Sequence, residues 1–156
     1  MKRSAVVLSL LLSMLWTATI CSAEWKLLDG KHHQNAYGTK YYMETKMSYA
    51  DVGSTQNPIV VFWGKTVFQG KSDPAYAKLI NIGCPPETAM VELKYRVDLN
   101  NKKAALLYGI LYDTQGRILS SEEQKKAEYL PIPPNTGAET VWIMIRELHE
   151  QGAISK

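Results

Sequence analysis

Cysteine is nearly absent from this chain: Cys21 and Cys84 are the only two, and Cys21 falls in a leader-like N-terminus. An exported domain that shed that leader would keep Cys84 alone, which excludes an internal disulfide and leaves packing to hold the fold. Histidine is also sparse. His32, His33 and His149 are the full set, and none completes a His/Cys cluster with the spacing of a metal centre. No block of lysine or arginine offers the electrostatic footprint of a nucleic-acid binder. Beyond the N-terminus no apolar run is long enough to cross a bilayer, and no internal repeat or low-complexity tract appears.

The N-terminus itself is informative. Lys2 and Arg3 precede an apolar run from Ala5 to Trp16, and small and polar residues follow to Ala23, the three-part pattern of a secretory signal peptide. Cleavage after Ala23 leaves residues 24–156 as a single domain, long enough for a real core and too short for two. The signal removes two of the 18 basic residues and none of the 15 acidic ones, so the mature domain is close to neutral. A retained anchor is the competing reading of residues 4–23. Lipidation at Cys21 is a third, opposed by the bulky Ile20 just before it. The expected location is periplasmic or secreted, with the cell surface left open.

The mature chain alternates β patterns with two helical ones. Trp25 to Leu28 forms a short strand that stops at Asp29-Gly30, and Tyr41 to Tyr49 is rich in aromatic and threonine residues that favour strand. A polar loop from Asp51 to Pro58 leads into Ile59–Gln69, the strongest β segment by composition. Ser72 or Asp73 can cap a short helix with Pro74 in its first turn, ended by Gly83. From Ala89 to Leu99 the odd positions are apolar and most even ones charged, the mark of a strand with one wet face. Asn100-Asn101-Lys102 turns the chain into Lys103–Asp113, apolar on both faces, and Arg117–Ser121 completes a meander. Past Pro131, Pro133 and Pro134, Thr136 caps a last helix with Glu139 in a capping box. Ala138, Val141, Trp142, Ile145, Leu148 and His149 share one face of it. The expected fold is α+β: a single antiparallel β-sheet of about six strands, a C-terminal α-helix packed on one face, and a short additional helix between strands 3 and 4.

The order of these signals resembles a known family. Trp25 soon after the leader, the Tyr41-Tyr42 strand, Val61-Phe62-Trp63-Gly64-Lys65-Thr66, the Tyr112 to Gly116 turn and Ile132-Pro133-Pro134 before a final helix are similar to the surface-adhesin protein E-like family of bacterial exported proteins. The resemblance covers nearly all of the mature chain. It implies a sheet with a C-terminal helix packed against it, and adhesion or binding in place of catalysis. Family members often carry a cysteine late in the strand before the meander turn and another in the final helix. Here those places hold Leu99 and the stretch Ile143 to Ile145, so the resemblance implies that apolar contact replaces a helix-to-sheet disulfide.

Catalytic candidates are weak. Cys84 with a histidine partner would make a nucleophile, but no recognised motif surrounds it, and a partly buried loop thiol, or one that pairs between chains, is the plainer reading. His32 and His33, adjacent in a polar loop, read as solvated. Glu122-Glu123 with Lys125-Lys126 reads as a solvated turn, because neighbouring carboxylates point apart. Ser120 and Ser121 form no nucleophile elbow, and the glycines no phosphate cradle. No catalytic, metal or cofactor residue is assigned.

The apolar surplus says more. Ile59, Val61, Trp63 and Val67 oppose Val60, Phe62 and Phe68; Leu106, Tyr108, Ile110 and Tyr112 oppose Ala105, Leu107 and Leu111. One helix covers one face, so the second needs the segment Asp73–Ile82, a second copy of the chain, or another partner. The function expected is an exported, non-enzymatic binding module of adhesin-like kind, with an unknown protein or other macromolecule as partner. The alternative is a periplasmic binder of a small apolar ligand, held between sheet and helix by Trp142 and the sheet tyrosines.

Overall fold

Strict alternation makes residues 90–98 a strand, and that strand lies near the middle of the sheet. A computed structural model describes residues 24–28, 38–50 and 57–155; the signal-peptide reading of residues 1–23 lies outside them, as do His32 and His33. The strands are β1 (Trp25–Leu27), β2 (Lys40–Glu44), β3 (Ser48–Tyr49), β4 (Ile59–Val67), β5 (Met90–Asp98), β6 (Lys103–Tyr112), β7 (Ile118–Glu123) and β8 (Leu130–Pro131). The helices are α1 (Pro74–Asn81) and α2 (Gly137–Glu150). All strand pairs are antiparallel, in the order β1-β2-β4-β5-β6-β7, with β3 beside β4 and β8 beside β6. The six strands of this path and the two helices agree with the expected α+β architecture.

Four details depart from the sequence reading. The segment Tyr41–Tyr49 breaks into β2 and β3, because Met47 between them turns into the core with 3% exposure. The proline-rich approach contributes β8, paired with Lys103 and Ala104 of β6. Glu122 and Glu123 end β7 and do not form a turn; they remain exposed and pair with Gly109 and Tyr108. Finally, β6 carries a bulge opposite Lys94/Tyr95, so Tyr108 pairs with Lys94 but Leu106 with Tyr95. One extra residue reverses the side-chain parity. Leu106 therefore shares a face with Leu111, and Ala105 shares one with Tyr108, which a strict period of two would not give.

The core lies between α2 and one sheet face. Val60 and Phe62 of β4 and Val97 of β5 point there, with Met43, Leu99, Ile132 and Ile145. Ile145 is fully buried, a placement that stabilises by about 1.5–3 kcal/mol. Ile143, in contrast, is 38% exposed; within the stretch Ile143–Ile145 it is Ile145 that meets Leu99 in the core. Thr136 caps α2 by accepting from the Glu139 amide, and Glu139 reaches back to the Asn135 amide at 2.6 Å. Beyond α2 the chain returns to β3, where Ser155 bridges Ser48 and Ile154 enters the core.

Helix α1 sits at the end of the sheet. Asp73, its cap, is buried and accepts from Ala75 and from the Thr39 hydroxyl. Tyr76 packs edge-on against Phe68, ring centroids 5.7 Å apart, and donates to the Pro86 carbonyl at 2.6 Å. These anchors hold α1 beyond Val67, away from Trp63. None of the described helices is long and apolar enough to cross a membrane.

Candidate functional site

Two features on opposite sheet faces are candidate sites. The first is a cleft of about 330 Å³ between α2 and the sheet, lined by Tyr41, Phe62, Tyr95, Ala138, Val141 and Trp142 among others. Its floor is open for a local reason. Gly64 and Gly109 flank Leu93 in one cross-strand row, so of these three positions only Leu93 carries a side chain into it. A Cβ on Gly64 would stand 3.4 Å from the Tyr95 ring, and one on Gly109 would stand 3.2 Å from Leu93 Cδ2. Phe62 and Tyr95 stack at 5.6 Å, and burial pushes the Tyr95 hydroxyl up to about 12. Trp142 closes one end: its indole N–H donates to the Leu99 carbonyl at 3.2 Å, and Lys102 and Arg146 lie over its ring at 5.2 and 4.8 Å.

The second feature is the opposite sheet face. Alternation from Val60 and Phe62 sends Val61, Trp63 and Lys65 of β4 there, joined by Glu92, Lys94 and Arg96 of β5 and by Tyr108 and Tyr112 of β6. All eight are half-buried. Neither helix is anchored on this face: α2 packs on the Phe62 side and α1 at the sheet's end. Segment Asp73–Ile82 is therefore not its cover. Trp63 and Tyr108 meet edge-on at 6.0 Å, with the Lys94 ammonium 5.8 Å from the Trp63 centroid. Lys65 lies 4.1 Å from the Trp25 ring and 5.0 Å from that of Tyr42.

Electrostatics on this face are mixed. Tyr112 donates to Glu92 at 3.0 Å, and desolvation together with that bond raises its hydroxyl to about 12. Desolvation lifts the Glu44 carboxyl and lowers the Lys65 ammonium, so both charges are held at some cost. The Arg96 Nε is buried with no hydrogen-bond acceptor, and no ion pair to Arg96 is found among the described residues.

The residues weighed as catalytic candidates do not assemble. Cys84 is a free, half-buried thiol after α1, its amide bonded to the Leu79 carbonyl, and desolvation raises its pKa, opposing thiolate chemistry. His149 is held in α2 by the Tyr49 hydroxyl, 2.7 Å from its Nδ1. Glu122 and Glu123 point to opposite faces of β7. Among the described residues no group of three or more His, Cys, Asp or Glu could hold a metal ion. What sequence reasoning missed is the convergence of Trp63, Lys94, Tyr108 and Glu123 in one row; the apolar surplus of β4 and β6 was the available signal.

No protein-family model matches the chain, and no curated protein sequence matches it. Among solved structures it is similar to protein E from non-typeable Haemophilus influenzae, with a TM-score of 0.48 and 14% identity over 85% of this chain and 90% of that one. At this TM-score and identity the likeness does not place the chain in a family.

Proposed function

We infer that this protein is an exported, non-enzymatic binding module that contacts a macromolecule through the sheet face bearing Trp63. One observation carries the reading: a ring-and-cation surface of Trp63, Tyr108, Tyr42, Lys65 and Lys94 lies on a face that neither described helix covers. Aromatic and long cationic side chains are those that contribute most per residue at binding surfaces. The motif resemblance to the surface-adhesin protein E-like family favours an adhesin-like form, displayed on the cell. Photo-crosslinking in the native cell tests this. A photoreactive residue at Val61 should yield a macromolecular adduct, whereas one at Ile143, on the outer side of α2, should not. No adduct from Val61, or the same adducts from both sites, refutes the reading. Surface protease then separates the two locations, since an adhesin is cleaved in intact cells and a periplasmic protein is protected.

The cleft favours a second reading, a binder of a small apolar ligand. Its volume of about 330 Å³ and its lining of Tyr41, Tyr95, Val141 and Trp142 suit a compact apolar group. Native mass spectrometry of the protein isolated from its own cell tests it; a copurifying ligand lost in Ala138→Phe supports the reading, and a ligand-free protein contradicts it.

A further inference from the structure

We propose that the Trp63 face binds a glycan through a carboxylated pyranose residue, seated in the groove between β4 and β7. This deepens the macromolecular reading above and rests on it. Trp63, Lys94, Tyr108 and Glu123 form a single cross-strand row over β4, β5, β6 and β7. Arg96 lies two residues along β5 from Lys94, on the same face. With Gln124 these residues line a groove of about 380 Å³, near the size that a monosaccharide and part of its neighbour occupy.

Each part of an acidic sugar has a counterpart here. The C–H face of a pyranose is apolar and stacks on an aromatic plane, which Trp63 supplies while Tyr108, edge-on at 6.0 Å, walls one side. A sugar carboxylate needs cations, and Lys94 and Arg96 stand on the same face of one strand. Arg96 is the better partner: it has no ion pair among the described residues, and a guanidinium fork takes a carboxylate through two parallel bonds. Its buried Nε has no acceptor among the described residues, so the guanidinium is not already committed at that atom. Sugar hydroxyls need both acceptors and donors, and the exposed Glu123 carboxylate and Gln124 amide at the groove's end supply them. A neutral sugar would leave the Arg96 charge uncompensated.

The test is titration of ¹⁵N-labelled protein, residues 24–156, with tri-galacturonate, a hyaluronan tetrasaccharide and sialyllactose, followed at the Trp63 indole N–H. A neutral galactose trisaccharide, sodium acetate and sodium sulfate at matched ionic strength serve as controls. At least one carboxylated sugar should shift the Trp63 resonance saturably, and the controls should not. Arg96→Ala and Lys94→Ala, followed at the same resonance, and Trp63→Ala, followed at the backbone amides of β5, should each weaken binding tenfold or more, and Arg96→Lys should restore part of it, with the melting temperature recorded for every variant. No shift with any acidic sugar, or an equal shift with acetate or the neutral trisaccharide, overturns the proposal. Should the Val61 adduct persist while every sugar fails, the glycan assignment is wrong and the binding face stands. Loss of both removes the face itself.

Discussion

The Trp142 indole N–H donates to the carbonyl oxygen of Leu99 at 3.2 Å, tying the C-terminal helix to the end of β5 where the sequence resemblance implied a disulfide in related chains. The bond is one polar contact beside a continuous apolar one. Leu99, Ile145 and Val97 share the core, with Trp142 and Leu148 packed against it. Truncating Leu99 removes most of that contact, so Leu99→Ala should cost about 2–5 kcal/mol in urea unfolding. With Cys84 the one cysteine among the described residues, reductant should leave the melting temperature of residues 24–156 unchanged.

Trp142→Phe keeps a ring against the core and deletes the donor. The Leu99 carbonyl loses its partner, at a cost of about 1 kcal/mol. Thr136→Ala removes the cap bond to the Glu139 amide and should cost a further ~1 kcal/mol. The two changes lie at separate points of α2, and additivity in the double variant, measured by chemical denaturation, would show that the cap and the indole bond act independently.

Much of the sheet and of the C-terminal helix is legible in the residue pattern alone. The alternation of Val91, Leu93, Tyr95 and Val97 against Glu92, Lys94 and Arg96 defines β5 and its core face, and the Thr136–Glu139 spacing with the Val141–Trp142–Ile145–Leu148 stripe defines α2. Local patterns report local structure. The bulge in β6 does not show, because a single extra residue at Leu107 is invisible unless the partner strand is known. Nor can the sequence bring Trp63, Lys94, Tyr108 and Glu123 together from four separate strands, since that row depends on the register of three strand pairs. Two apolar faces on β4 are visible in its composition; which elements cover each is a tertiary matter.

The turn after β6 should be acid-sensitive. Asp113 accepts from the Gln115 and Arg117 amides at 2.8 and 2.9 Å and pairs with the Arg117 guanidinium at 2.7 Å. The Arg117 amide bond leads the effects that hold its carboxyl below the ordinary 3.8. A depressed folded pKa means that the stabilisation is complete above the unfolded value and is lost as pH falls through the folded one. Wild type should therefore exceed Asp113→Asn in melting temperature at neutral pH, and the gap should shrink as pH drops below about 4.

Filling the cleft should leave the opposite face untouched. Ala138 lines the cleft and is exposed, so Ala138→Phe can occupy the space without disturbing Ile145. The expected result is reduced binding of an apolar dye such as 8-anilinonaphthalene-1-sulfonate, with the Trp63 indole resonance unmoved.

The decisive comparison concerns the sheet face. Labelled residues 24–156, as wild type, Trp63→Ala/Tyr108→Ala and Lys94→Glu, would be applied to the native cell envelope and to extracellular matrix, with circular dichroism confirming that each variant is folded. If this face makes the contact, wild type binds saturably to at least one of them, and both variants bind tenfold or more weaker. Equal binding by all three proteins, or no saturable binding by the wild type, would contradict it.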